Sequence, residues 1–384
     1  MKRLALLVVV IPQLYTMAQT STPGLIGQDD KNRTITTAVP FLSITPDARA
    51  AGFGDAGVAT SPDANSAYWN SAKLAFTEER AGTALSYTPW LAKIINDMYI
   101  FYISGYYKIT REQTVAVSMK YFDMADVDLT TINGEPNGRF NPRDFAFDVT
   151  YSRLLTENLS IGGAIRYIHS NLTGSGGSAQ DARPGKSVAV DMGVYYTKDL
   201  LSKNSNISLG AAITNIGAKI SYSDNGSKDF IPANLKIGGA FRTEVSPMNS
   251  FTFIVDFNKL LVPSPRDGSR DKTLLSGVFG SFGDARYGFS EEIREIMISS
   301  GVEYWYNQTF AGRLGYFNEA YDKGNRKYLT GGVGFKKNKF GVDFAYMVPI
   351  NKRENALAET LRLTLHFTPK LKPLANEEEE TNTP

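Results

Sequence analysis

Between Ala81 and Phe367 the chain repeats one pattern: about ten residues with apolar side chains at every second position, then a turn. Period-two alternation marks an extended strand whose two faces meet different surroundings. Phe145, Phe147, Val149 and Tyr151 share one parity, and Ala146, Asp148 and Thr150 take the other. The next arm sets Leu159, Ile161, Gly163, Ile165 and Tyr167 against Ser160, Gly162, Ala164 and Arg166. Charges keep to the second parity, at Arg166, Asp191, Lys236, Arg242, Asp256, Arg313, Asp343 and Arg362. An Arg or Lys facing hydrocarbon at mid-membrane costs about 2–4 kcal/mol, so a one-residue slip exposing two of them would be prohibitive. The pattern therefore predicts a ring of strands with its charges lining the lumen and its apolar residues facing lipid. A soluble β-sandwich also has one apolar and one wet face, but strand length and Tyr/Phe at strand ends favour the membrane.

Fourteen strands are expected, near 81–88, 98–108, 113–123, 143–154, 158–169, 187–197, 206–216, 233–243, 249–259, 296–306, 308–318, 327–336, 339–348 and 357–367. The connections after the second, fourth, eighth, tenth and twelfth are brief, as at Thr156-Glu157-Asn158 and Asn307-Gln308, with that after the sixth somewhat longer. Those after the third, fifth, seventh and ninth are long. Transmembrane barrels alternate short periplasmic turns with long outer loops, so the first strand should start in the periplasm and the last return there. The fold class is thus an all-β, transmembrane antiparallel barrel of the Gram-negative outer membrane, with the lipids of that membrane around it.

Residues 1–18 read as a signal peptide: Lys2 and Arg3, an apolar run from Leu4 to Ile11, and Thr16-Met17-Ala18 before the cleavage site. Residues 19–80 form an N-terminal extension with a Gly/Ala-rich, plug-like segment at or in the barrel mouth, and 81–367 the barrel. Residues 368–384 are a polar tail carrying Glu377 to Glu380. With 41 basic and 39 acidic residues the chain has no field to attract nucleic acid, and with no cysteine it has neither disulfides nor thiolate chemistry.

Several strings tempt a catalytic or cofactor reading. Gly52-Phe53-Gly54-Asp55-Ala56-Gly57 matches the dinucleotide fingerprint, but no apolar strand precedes it and Ser61-Pro62 breaks any helix after it. Pro184-Gly185-Lys186-Ser187 ends like a phosphate loop but lacks the first glycine. His169 and His366 are the two histidines, expected at opposite ends of the barrel. A Ser-His-Asp arrangement of Ser170, His169 and Asp181 is the enzymatic alternative, a deacylase of outer-leaflet lipid. No cofactor, no metal and no enzymatic activity are expected.

The long connection 260–295 places Leu274, Leu275, Val278, Phe279 and Phe282 at helical spacing, and Phe289, Ile293 and Ile296 suggest a second short helix. Such a helix either packs on the barrel rim or presents a recognition surface outward, together with Trp90 of the first outer connection.

Asp47 to Ala59 and Asp63 to Lys73, including Tyr68-Trp69-Asn70, are too rich in Gly and Ala for a strand. They resemble the N-terminal segment of the FadL-like barrel superfamily, in which a small-residue region folds into the barrel mouth. That likeness makes Gly52, Phe53, Gly54, Asp55, Gly57, Trp69 and Asn70 candidate plug residues. Ser71 stands where an Asn-Pro-Ala step would have proline. Within the superfamily, Asp47 to Gly52, Ser61 to Asn65, Ser281 to Ala285 and Glu303 to Asn307 resemble the PorV proteins of type IX secretion, with PorQ sharing much of the pattern. The resemblance implies a barrel that binds the C-terminal signal domain of secreted cargo and passes it from the translocon barrel to a surface sortase complex. A FadL-like transporter of hydrophobic compounds is the alternative.

Overall fold

The computed structural model describes residues 33–91, 97–131, 133–172, 181–200, 204–224, 226–266, 268–350 and 360–371. The expected signal peptide and the acidic run of the tail lie outside these residues. The strands are β1 Ala81–Pro89, β2 Tyr99–Lys108, β3 Gln113–Asp123, β4 Val127–Thr130, β5 Pro136–Phe140, β6 Arg143–Thr156, β7 Leu159–Asn171 and β8 Gly185–Leu200. They continue with β9 Ser205–Gly217, β10 Asn234–Ser246, β11 Asn249–Leu260, β12 Ile296–Tyr306, β13 Phe310–Asn318, β14 Lys327–Lys337, β15 Phe340–Pro349 and β16 Leu361–Phe367.

All but β4 and β5 form one closed antiparallel barrel of fourteen strands, sealed where β1 meets β16 from Thr83↔Phe367 to Tyr87↔Leu363. Closure leaves no unpaired edge, the condition for backbone to cross hydrocarbon. Among the described residues no helix is long and apolar enough to cross a membrane.

Each expected strand is found, most with shifted ends and those at 113–123 and 296–306 with the expected ones. The eleventh barrel strand starts at Phe310 rather than 308 because Asn307 and Gln308 adopt left-handed conformations in the turn (φ 49° and 50°). β8 starts before and ends after its expected bounds. The hairpin of β4 and β5 stands in the outer loop after β3, where no strand was expected.

Val149, Ile165, Val190, Leu209, Phe253, Leu314 and Phe344 stand exposed on the outer wall, while Asp148, Arg166, Asp191 and Asp256 are buried within. Seven of the eight charges assigned to the lumen are buried; Arg242 sits near the short-turn end, half exposed and ion-paired with Glu244 at 3.1 Å.

Candidate functional site

Residues 33–80 run along the lumen. At the long-loop end the Arg33 amide donates to the Asp322 carbonyl, and at the short-turn end Lys108 Nζ donates to the Thr77 carbonyl at 2.5 Å. Between them lie α1 (Ala48–Ala51), α2 (Ser66–Trp69) and a 3-10 helix, Ser71–Phe76. These pieces are too short to be stable alone, and their order comes from the wall around them.

The wall is shaped for this. Gly301 of β12 and Gly315 of β13 are cross-strand partners, and a Cβ on Gly315 would stand 2.1 Å from the backbone of Phe53 and Gly54. Gly162 and Gly193, paired across β7 and β8, likewise receive Ser71-Ala72 and the Asn70 side chain. Gly54 itself has φ +74° and lies against the Tyr316 backbone. The glycines of the dinucleotide-like string thus serve close packing, Gly54 against the Tyr316 backbone, Gly57 against the Trp69 ring and Gly52 against the Arg313 side chain.

Buried charge pins the segment. Asp256 Oδ2 accepts from the Gly57 and Val58 amides at 2.7 and 2.9 Å. Arg362 reaches Asp55 at 3.3 Å, and Tyr328 donates its hydroxyl to the same carboxylate. Arg49 adds a cation to Glu303, which also holds Arg313 at 2.8 Å, and Arg313 continues to Asp343 at 2.5 Å. Arg166 bridges Asp148 and Asp191 within the lumen. Asp47 caps α1 through the Ala50 amide and accepts from Trp69 Nε1 at 2.7 Å. Lys236 lies over the rings of Tyr68 and Trp69. Asn70 donates to the Val194 carbonyl. Phe53 and Trp69 are buried. A cavity of about 390 Å³ remains toward the short-turn end, lined in part by Arg49, Asp63, Arg242, Trp305 and His366.

The two histidines do not share a site. His366 Nε2 bonds Asp343 at 2.8 Å, beside the Arg313 network. His169 and Ser170 point to opposite faces of β7. His169 stacks on Phe145 on the lipid side, while Ser170 meets the Tyr222 hydroxyl inside, so the two cannot act as a catalytic pair. Among the described residues no group of three or more His, Asp or Glu could hold a metal.

The outer connection between β11 and β12 folds into α3 (Leu274–Gly280) and α4 (Phe289–Arg294). The five residues expected to act together divide. Val278 is buried and Leu274 packs with it against Ala233 and Leu261 of the rim, whereas Leu275, Phe279 and Phe282 are exposed. Trp90 corrects its expectation: it is buried edge-on against Phe122, in a cluster with Phe41 and Ile168, because the inner segment supplies apolar partners there.

Sequence reasoning also missed how α4 is turned. Phe289 is 78% exposed and Ile293 also faces out, while Glu291 and Glu292 are buried. Glu295, just past the helix, accepts from Lys259 at 2.6 Å, Lys323 at 2.9 Å and Ser264 at 2.7 Å. Glu291 pairs with Lys323 and Arg33. Burial alone would raise the Glu291 carboxyl, but Lys323, the Tyr287 amide and Arg33 hold it below its ordinary range. The cap thus buries its acids and shows its apolar side chains. The signal was the acidic spacing beside Lys259 and Lys323, legible only once the fold brings those lysines underneath.

Residues 27–267 match the family model described as "Type IX secretion system protein PorV". No curated protein matches the chain. Among solved structures, the Pseudomonas putida toluene transporter TodX is 10% identical with a TM-score of 0.51, over 84% of this chain and 98% of that one. A TodX monoaromatic hydrocarbon channel mutant, deltaS2S3, is 11% identical with a TM-score of 0.52, over 85% and 99%. A Pseudomonas aeruginosa FadL homologue is 10% identical with a TM-score of 0.46, over 88% and 99%. At such identities the first two likenesses show the fold alone.

Proposed function

The chain belongs to the PorV family of type IX secretion system proteins and lies in the outer membrane, and from that premise we propose that its outer cap captures the C-terminal signal domain of secreted cargo. The captured domain would then pass from the translocon barrel to the surface sortase complex. The observation that carries this reading is the exposed apolar surface of Leu275, Phe279, Phe282, Phe289 and Ile293 at the long-loop end. Large exposed apolar patches mark interaction sites, and this one is held on a buried ionic base that limits the ordering cost of binding.

The chain has no cysteine, so a single cysteine can be placed at will. A photo-crosslinker on Phe279→Cys in cells should trap cargo, while the same probe on the lipid-facing Val190→Cys should not. Equal trapping at both positions would remove the assignment. Transport of hydrophobic compounds through the FadL-like barrel draws support from the shared fold, and it requires the packed inner segment to move out of the lumen.

A further inference from the structure

On the lipid-facing wall, Arg143 opens β6, His169 lies near the end of β7 and Lys186 near the start of β8. The register sets Phe145 opposite His169 and His169 opposite Lys186, with Arg143 opposite Asn171. Directly opposite residues of an antiparallel pair hold their Cβ atoms about 4.5–5.5 Å apart and diagonal ones about 7–8 Å, so Lys186 adjoins His169 and Arg143 lies one diagonal step from it. His169 is fixed there by stacking on Phe145, ring centroids 5.0 Å apart.

One nearby carboxylate, Asp123, offsets part of the charge of this patch. Asp123, opposite Arg143, is engaged by the Tyr121 hydroxyl, the Ala125 amide and Asn141. Asp144 is buried on the lumen side. Arg143 meets the neutral Tyr121 phenol. Immediately below, Phe147, Tyr167 and Val188 are exposed on the same face. Arg143 and Lys186 therefore stand over an apolar wall near the long-loop ends of their strands.

We propose that Arg143, His169 and Lys186 form a site for the phosphate of an anionic membrane lipid, whose acyl chains lie along Phe147, Tyr167 and Val188. A phosphate accepts charge-assisted hydrogen bonds from Arg143 and Lys186 and relieves their mutual repulsion. The apolar wall favours a lipid over a free anion.

The test is native mass spectrometry of the purified barrel in neutral detergent, titrated with phosphatidic acid. The wild type should retain one molecule, and Arg143→Gln/Lys186→Gln should weaken retention by about tenfold, or ~1.4 kcal/mol. Lys337→Gln, at the opposite rim, should leave it unchanged. Diacylglycerol, which lacks the phosphate, should not be retained, and inorganic phosphate at equal concentration should not displace the lipid. Undiminished retention by the double variant overturns the site, as does equal retention of diacylglycerol. Displacement by inorganic phosphate overturns its assignment to a lipid.

Discussion

The inner segment and the outer cap are both irregular chain tied to the barrel by buried charge, yet they dispose of their apolar side chains in opposite ways. Around Phe53 and Trp69 the rings are enclosed and the wall is cut back to glycine to admit the segment. In the cap, Glu291, Glu292 and Glu295 take the buried side, and Phe279 and Phe289 face out. Burial of apolar surface stabilises the first, whereas the second leaves its apolar side chains exposed.

The largest expected effect separates the two regions by glycine. Gly315→Leu drives a side chain into backbone that has nowhere to go, and should destabilise the folded barrel by about 3 kcal/mol or more. Gly283→Leu in the cap, where nothing lies within 4 Å of a new Cβ, should change stability by less than about 0.5 kcal/mol. Urea midpoints of the heat-modifiable form measure both, and similar values would erase the distinction.

Glu295→Gln removes a carboxylate that serves Lys259, Lys323 and Ser264, and should loosen the cap by about 2 kcal/mol. Hydrogen exchange should quicken over 274–294 and stay unchanged over 47–59. Acceleration in both regions would mean that they form one cooperative unit.

A smaller effect follows from Glu291. Its folded pKa lies below its ordinary value of 4.5, so its contribution is fully present above that value and is lost as pH falls through the folded pKa. Exchange in the cap should therefore rise on acidification below about pH 4.5, with Glu291→Gln weakening that dependence.

The barrel was legible because apolar residues recur at every second position over strands long enough to span a bilayer, while charges such as Arg166, Asp191 and Asp256 keep to the other, buried face. The hairpin of β4 and β5 was not, since Val127–Thr130 and Pro136–Phe140 are short and mostly exposed on both faces. Trp90 failed as a surface residue because its partners, Phe41 and Phe122, lie far from it in sequence. In α4 the side that turns inward was left open, because it is set by Lys259 and Lys323, which arrive from β11 and the loop before β14.

The most direct measurement is the affinity of the purified barrel for an isolated cargo C-terminal domain, compared with that of Leu275→Ser/Phe279→Ser/Phe282→Ser. Loss of about 2–4 kcal/mol of binding, with an unchanged heat-modifiable barrel, is the expected result. Undiminished binding by the triple variant would contradict the placing of cargo capture on the cap.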